Sequence, residues 1–512
     1  MINFFSRALS KILDRFDNDE LDEAFKSFIS GNEISQTKAM NKIIPISFDA
    51  NDLSFLGFQV TMLLSCQSIE ARQVGFRAAS LFLQPSSPYV EMMPAIFRKA
   101  IRTDELIIPA LKSMSFYINP FVFHSIETEL YTIIESSSDV GRKYALTIMF
   151  KAYLNDSSII PKLIQYIRGA IFQPSLKYTA LAILCEMAQR NPLEVGSLFN
   201  MLVSEIPIAT PAAFTKISRI LKALLQLNAS LAIDLEKPLS QFITRQSDPI
   251  SLTDAAVVLS QVQLSPTIYA QLGTKLQNII AVDTNPNITA CVLSALKMMS
   301  RRFKPSASII SPSIDSVDSS IRGPAIAIRA ISAKDQRSSG ELYRFITETK
   351  DIASVSELLQ ISRNDGPIFV SIISGLYDLA IPGTLPLIAD AIKSISDSNT
   401  QKLFLKEISE TIFEPPDDIV GLAIASAISE WSTDPEDIRV LIPPLIATKS
   451  ELYQASMITY ATSFWLRLQF EIETGIVNRL AVLTQSSFHE VRSAASLFLD
   501  LINSIPIESD DS

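Results

Sequence analysis

The chain has 512 residues, 47% of them apolar, with 14 glycines and a formal net charge of −10 at pH 7. Such a length fits two or three globular domains or one long repeat array, and scarce glycine with a high apolar content favours helices. The acidic balance argues against a nucleic-acid-binding protein, whose affinity rests on Lys and Arg neutralising phosphates; local basic patches remain available to a membrane or a partner.

No apolar run approaches the roughly 18 to 20 residues needed to span a bilayer; the longest candidate, from Ile419 to Ile428, is too short. Residues 1–5 lack the charged and apolar regions of a secretory signal, so a cytoplasmic chain is expected. Cys66, Cys185 and Cys291 are far apart and form no Cys-x-x-Cys pair, and neither His124 nor His489 has a second ligand-type residue at metal spacing. Disulfides, metal sites and cofactors are therefore not expected.

From Leu9 to Ile29 the chain is amphipathic, and its acidic stretch from Asp14 to Glu23 is expected to be a solvated helix face. A helix from Ile34 to about Ile44 follows, with Lys38 and Lys42 at i and i+4 on one face. A hairpin is expected over 52–64 and 70–83, with Gly75 and Ala78 small enough to let neighbouring helices approach. Residues 137–203 then carry four consecutive helical patterns. Their apolar positions are Ala145, Ile148, Met149, Ala152 and Tyr153; Ile160, Leu163, Ile164 and Ile167; Leu176, Ala180, Ile183, Leu184 and Met187; and Val195, Leu198, Phe199 and Leu202. Pro161 fits a first helical turn, and Asn191-Pro192 ends the third helix.

Further along, Ile309, Ile310, Ile314 and Val317 keep helical spacing through the serine-rich stretch 306–320, and Asp318-Ser319-Ser320 makes a helix start. Gly366-Pro367 and Pro382-Gly383 fit turns between helices, and Asp417-Asp418 fits the positive end of a helix dipole. Glu357-Leu358-Leu359 has the form of a dileucine sorting signal, but its leucines fall on the core side of a predicted helix. Residues 507–512 form a short acidic tail.

One pattern recurs at the start of second helices: a basic residue with a small residue three positions later. Arg72 precedes Gly75, Arg142 precedes Ala145, Lys177 precedes Ala180, Arg322 precedes Ala325 and Arg492 precedes Ala495. Three of the four intervals, 70, 35 and 170 residues, are multiples of about 34 to 35, and two helices per period of about that length is the mark of stacked helical hairpins. The expected fold class is all-α, a right-handed α-solenoid of HEAT/armadillo-like hairpin repeats. One hairpin cannot bury its own apolar face, so each depends on its neighbours for a core. No phosphate-binding glycine loop, His-Glu-x-x-His or Gly-x-Ser-x-Gly occurs, and an enzyme is not expected.

Several stretches resemble the adaptins, the large chains of clathrin-adaptor-type vesicle coats, and among them the delta type of the third adaptor complex. Asp14-Arg15-Phe16-Asp17 is similar to the delta-type start, Arg72 to Ser80 to the family's basic-hydrophobe-Gly-aromatic segment, and Ile96-Phe97-Arg98-Lys99 to the basic helix after it. Arg142-Lys143-Tyr144-Ala145 resembles the family's Arg-Lys-Lys-Ala helix, and Cys185 to Pro192 resembles its Glu-hydrophobe-x-x-Arg-Asn-Pro turn, the most specific of these motifs. Weaker likeness returns at Asp318 to Arg322, at Ser429-Glu430-Trp431 and at Glu490 to Ala495.

The resemblance implies an adaptin trunk over residues 1–506, without the family's usual hinge and ear. It implies a large-subunit scaffold of a heterotetrameric adaptor, sorting cargo from Golgi or endosomal membranes to a lysosome or vacuole. Its partners would be a beta-type large chain, a sigma-type small subunit and a mu-type medium subunit, with recruitment by an Arf-type GTPase and lipid. The first helices are where such contacts are sought in the family, which makes Lys38, Lys42, Arg98, Lys99 and Arg102 the candidates. The alternatives are an importin-like or a regulatory scaffold solenoid. An importin-like chain would carry a ladder of Trp and Asn on one face, and only Trp431 and Trp465 occur here.

Overall fold

The computed structural model describes Ala24 and residues 26–28, 31–45, 56–379, 381, 383–408, 418–442 and 450–505. Ala24 and residues 26–28 are helical. The acidic stretch Asp14 to Glu23, Pro382, Asp417 and the tail 507–512 lie outside the described residues. Among the described residues every regular element is an α-helix or a short 3-10 turn, and none is a strand. The chain divides into two compact units, Met1–Leu264 and Ser265–Ser512.

The first unit contains α1 (Glu33–Ile43), α2 (Gly57–Ser65), α3 (Ile69–Phe82), α4 (Met93–Ala100), α5 (Asp104–Tyr117), α6 (Pro120–Ser136) and α7 (Asp139–Tyr153). It continues with α8 (Ile160–Ile171), α9 (Lys177–Arg190), α10 (Pro192–Val195), α11 (Phe199–Glu205), α12 (Pro211–Leu227), α13 (Glu236–Arg245) and α14 (Pro249–Ser260). The second unit contains α15 (Pro266–Val282), α16 (Pro286–Met299), α17 (Ala307–Ile314), α18 (Ser319–Ala333), α19 (Gln336–Thr349), α20 (Val355–Ser362) and α21 (Gly366–Asp378). It ends with α22 (Leu385–Lys393), α23 (Ser398–Ile408), α24 (Asp418–Trp431), α25 (Ile438–Leu441), α26 (Glu451–Leu468), α27 (Thr474–Leu483) and α28 (His489–Ser504).

Local chemistry sets the helix ends. Side chains of Ser68, Asn119, Ser138, Thr210 and Asp248 accept from the free N–H groups at the starts of α3, α6, α7, α12 and α14. Asn285, Asp318, Asp335, Asp365 and Ser450 do the same in the second unit. Each such cap contributes about 1 kcal/mol. Prolines at the first turns of α6, α8, α12, α14 and α16 cost no hydrogen bond there. At the far ends, Lys334, Lys350 and Gln469 close α18, α19 and α26 in the left-handed conformation.

The helices pair and the pairs stack. In the first unit α3, α5, α7, α9, α12 and α14 pack side by side as one row. Helices α2, α4, α6 and α8 cover the same core from the other side, each against the following member of that row. In the second unit α16, α18, α20, α22, α24, α26 and α28 form the corresponding row. Both units are thus stacks of helical hairpins, as the repeat spacing predicts. The repeat length is directly visible in the bonds between neighbouring hairpins. The Ser68 N–H donates to Glu33 across 35 residues, Asn119 to the Pro85 carbonyl across 34, Arg245 to the Ala209 carbonyl across 36, and Ser450 to Asp418 across 32.

The small residues of the recurring pattern lie in the seams. Ala145, Ala180, Ala325 and Ala495 have no exposed surface. A Cβ on Gly75 would stand 3.2 Å from the backbone nitrogen of Leu64, so α2 and α3 meet there at a distance only glycine leaves comfortable. Large rings fill the space between layers: Phe214 stacks on Phe242 at 3.8 Å, and the fully buried Trp465 lies 5.9 Å from Phe498 and donates to the Phe470 carbonyl.

Three details depart from the sequence reading. The fourth helix of the 137–203 stretch is three pieces, α10, a 3-10 turn over Gly196–Leu198, and α11. Val317 is fully exposed, because α17 ends at Ile314 and the cap Asp318 starts a new helix after it. Gly366-Pro367 forms the first turn of α21, capped by Asp365, where a connection between helices is expected from sequence.

Candidate interaction surface

Lys38 and Lys42 lie on α1, one turn apart and exposed. They make no ion pair among the described residues. Lys38 borders an open groove of about 560 Å³ that is also lined by Glu33, Glu70, Thr37 and Ser68, so carboxylates accompany the ammonium there.

Arg98 and Lys99 lie in the last turn of α4, and Arg102 follows in the turn to α5. Arg98 is committed to the fold. Its Nε donates to Glu129 Oε1 at 2.6 Å and another guanidinium nitrogen donates to the Ser125 carbonyl, both on α6. Lys99 and Arg102 are exposed and have no such partner among the described residues. A second open groove, about 620 Å³, runs beside them between α5 and α6, lined by Ile101, Asp104, Ile107, Glu129 and Ile133. Helix α1 packs on α3, whereas α4 packs on α5 and α6. The five candidates therefore fall on two separate elements and do not converge on one site.

The recurring basic residues have a different use. Arg142 Nε donates to the Ile134 carbonyl at 2.8 Å, tying α7 to the last turn of α6. One guanidinium nitrogen of Arg492 bonds the Ser486 and Ser487 carbonyls after α27. The Arg142 contact satisfies a carbonyl that a helix end leaves free and places a positive charge at the negative end of its dipole, whereas Arg492 satisfies loop carbonyls just before its own helix, α28. Lys177 and Arg322 instead pair with Glu205 at 2.6 Å and Glu348 at 2.8 Å. Arg72 is buried with Nε and one terminal nitrogen unpartnered among the described residues, and burial pushes its pKa down.

Sequence reasoning missed a second set of cations, which reach carbonyls of the neighbouring hairpin: Lys151 to Ser115, Arg245 to Ala209, Arg363 to Ser394 and Arg467 to Ser429. The signal that finds them is a cation near a helix end about one repeat away from another helix end. His124 also bridges hairpins, with Nε2 2.8 Å from Asp156 and Nδ1 3.6 Å from Glu127. The Asp156 bond, followed by Glu127, outweighs its slight burial and raises its pKa.

Other shifted groups report packing. Burial, then the bond to Glu194, pushes the Tyr153 phenol up to about 12, and burial, with nearby Asp418, does the same to Tyr453. Among the described residues no cluster of three or more His, Cys, Asp or Glu side chains has the geometry of a metal site, and no helix is long and apolar enough to cross a membrane. Leu358 and Leu359 of the dileucine-like triplet are buried on α20, as expected from their helical position.

Comparison with known proteins gives a consistent result. The chain is 21% identical over 95% of its length to the AP-3 complex subunit delta-1 of Bos taurus, and 22% identical over 35% of its length to the AP-3 complex subunit delta of Saccharomyces cerevisiae. It covers 45% and 20% of those two proteins, so it spans less than half the length of these relatives. Among solved structures, a homology model of the full-length AP-3 complex in an intermediate open conformation is similar at 15% identity and a TM-score of 0.49, covering 92% of this chain and 95% of that one. Residues 14–354, more than half of the chain, match the family model for the adaptin N terminal region. The chain belongs to the adaptin N-terminal region family.

Proposed function

We propose that the chain is the trunk of a delta-type large subunit in a heterotetrameric vesicle-coat adaptor, acting in intracellular protein transport as a scaffold for cargo sorting. The observation that carries this reading is the alignment with a delta-type adaptor subunit over 95% of the chain, within a family match to residues 14–354. The stacked hairpins support it physically, since they offer long helical faces on which several proteins can be held at fixed spacing.

In this reading residues 1–506 act as the trunk and 507–512 as an acidic tail. The partners are a beta-type large chain, a sigma-type small subunit and a mu-type medium subunit. An Arf-type GTPase and anionic lipid recruit the assembled complex from the cytoplasm to Golgi or endosomal membranes, for transport to a lysosome or vacuole. Lys38, Lys42, Lys99 and Arg102 are the better contact candidates. Arg98 is the weakest of the five, because its guanidinium already holds α6.

The test is co-expression of the chain with beta-, sigma- and mu-type subunits, followed by size-exclusion chromatography with light scattering. A stable complex containing one copy of each is expected. Elution of the chain alone, folded and free of all three, refutes the proposal.

A further inference from the structure

The ends of the row α3, α5, α7, α9 and α12 share an unexplained feature. Each is marked by one large exposed apolar side chain at its C-terminal end or shortly after it: Leu81 at 41% exposure, Phe116 at 53%, Leu154 at 37%, Leu193 at 76%, which stands in the first turn of α10 directly after α9, and Leu227 at 53%. Their separations are 35, 38, 39 and 34 residues, the repeat length itself. Exposed apolar residues scattered singly need no explanation, but one per repeat at the same place makes a line.

A second line runs beside the first. Three to five residues before each apolar residue stands a cation: Arg77, Lys112, Lys151, Arg190 and Lys222. All except Lys151 are exposed. The contacts between hairpins show that the two lines are in register. Lys151 of α7 lies 5.1 Å over the ring of Phe116 of α5, and Tyr153 at the end of α7 donates to Glu194, beside Leu193. Three acids fall near the lines: Glu194, already held by Tyr153 and Asn191; Asp156, two residues after Leu154 and already held by His124; and Glu186, one turn before Arg190. A chain with net charge −10 thus sets four exposed positive charges along one apolar row, with Lys151 between them held by the Ser115 carbonyl.

We propose that this strip is a docking surface for an acidic, leucine-rich amphipathic helix of a protein partner. The apolar row takes the partner's apolar stripe, and the cationic row faces carboxylates flanking that stripe. Neighbouring helices in such a stack lie about 8 to 10 Å apart, so five of them span about 32 to 40 Å. A helix of about 21 to 27 residues covers that length at 1.5 Å per residue. The assignment stands on the strip alone and does not require the adaptor reading.

The test uses the full chain and a fluorescein-labelled synthetic peptide of about 25 residues, with Leu at i, i+3, i+4 and i+7 spacing and Glu on both flanks, followed by fluorescence anisotropy. Binding is expected, weakening as salt rises and falling at least about tenfold in R77E/K112E/K222E and in L81S/F116S/L227S. The control K99E/R102E, with charges reversed off the strip, should bind as the parent does. Circular dichroism checks that every variant keeps its helices; these positions are exposed, so folding is expected to survive. Four results overturn the proposal: no binding by the parent chain, equal binding of a peptide with Leu replaced by Ser, equal loss in the control, or strip-dependent self-association that excludes the peptide. A fifth does so too: deletion of residues 1–23 that raises peptide affinity tenfold or more assigns the strip to the chain's own acidic segment.

Discussion

The Lys177–Glu205 pair offers a sharp test of how neighbouring hairpins are held together. Lys177 Nζ lies 2.6 Å from Glu205 Oε2, but the two ends differ in environment: the Glu205 side chain is 7% exposed and that of Lys177 is 23% exposed. Lys177→Met strands a carboxylate that has no other hydrogen-bond partner among the described residues, and stripping one partner from a buried pair costs about 3 to 5 kcal/mol. Glu205→Gln leaves a lysine whose flexible stem can carry its ammonium to water, which limits the loss to about 1 kcal/mol. In a hairpin stack the penalty should stay with the units that meet at the pair. Amide hydrogen exchange under native conditions is therefore the suitable assay. In K177M, exchange in α9 and α11 should accelerate by about two to three and a half orders of magnitude, since each 1.4 kcal/mol is a factor of ten. In E205Q the acceleration should stay within about tenfold, and α24 to α28 should be unchanged in both. The double variant K177M/E205M should recover most of the loss. Equal effects of the two single substitutions, or acceleration throughout the chain, would refute the reasoning.

Four further outcomes are expected. Burial holds the Asp254 carboxyl above its usual pKa despite the 2.6 Å bond from Thr215. A raised carboxylate pKa is a cost that appears as pH rises above the unfolded value near 4, so Asp254→Asn should raise Tm at pH 7 and have no such effect below about pH 4; a lower Tm at pH 7 sinks this. For His124, whose pKa is raised first by its bond to Asp156, the contribution to stability is present below about pH 6.5 and is lost as pH rises through the folded pKa. Asp156→Asn should move its imidazole titration, followed by NMR, back toward the ordinary value, and an unchanged curve rejects the link. Both tryptophans, Trp431 and Trp465, lie in the second unit, so tryptophan fluorescence, excited selectively over tyrosine, follows that unit alone; Trp465→Ala should cost about 3 to 5 kcal/mol there and leave helix exchange in the first unit unaltered. Burial raises the thiol pKa of Cys185, and of Cys66 with help from Glu33, while Cys291 is exposed. A disulfide exchange reagent should accordingly modify Cys291 first and Cys185 last, and rapid reaction at Cys185 contradicts its buried position.

What the sequence disclosed, and what it withheld, follows from what periodicity measures. Apolar spacing reports which side chains face inward, and that was sound: Val195, Leu198, Phe199 and Leu202 are all buried, as their spacing predicts. It does not report whether the backbone bonds between them are continuous. Pro192 starts α10, a 3-10 turn follows at Gly196, and α11 resumes at Phe199, yet all four residues keep their inward aim. Val317 fails for the complementary reason. It satisfies the spacing, but Asp318 accepts from the Ser320 N–H and so leaves Val317 in the turn before the helix. Caps are local chemistry and are readable from a few adjacent residues, whereas burial depends on the next hairpin.

The same division explains the cations. The sequence marks Arg98, Lys99 and Arg102 as one basic cluster, and nothing in their order separates them. The structure does, because Glu129 and the Ser125 carbonyl stand within reach of Arg98, while no described residue answers Lys99 or Arg102. Arg142 is likewise spent on a carbonyl in the last turn of α6, and Arg492 on carbonyls of the loop before α28. A guanidinium so bound is fixed by the fold, and replacing it by lysine loses the planar donor arrangement. Arg142→Lys should therefore loosen the junction of α6 and α7 in hydrogen exchange, whereas Arg102→Lys, which keeps an exposed charge, should leave both exchange and any contact made through charge alone unchanged. Protection that falls in R102K and holds in R142K would reverse the assignment of these residues to contact and to fold.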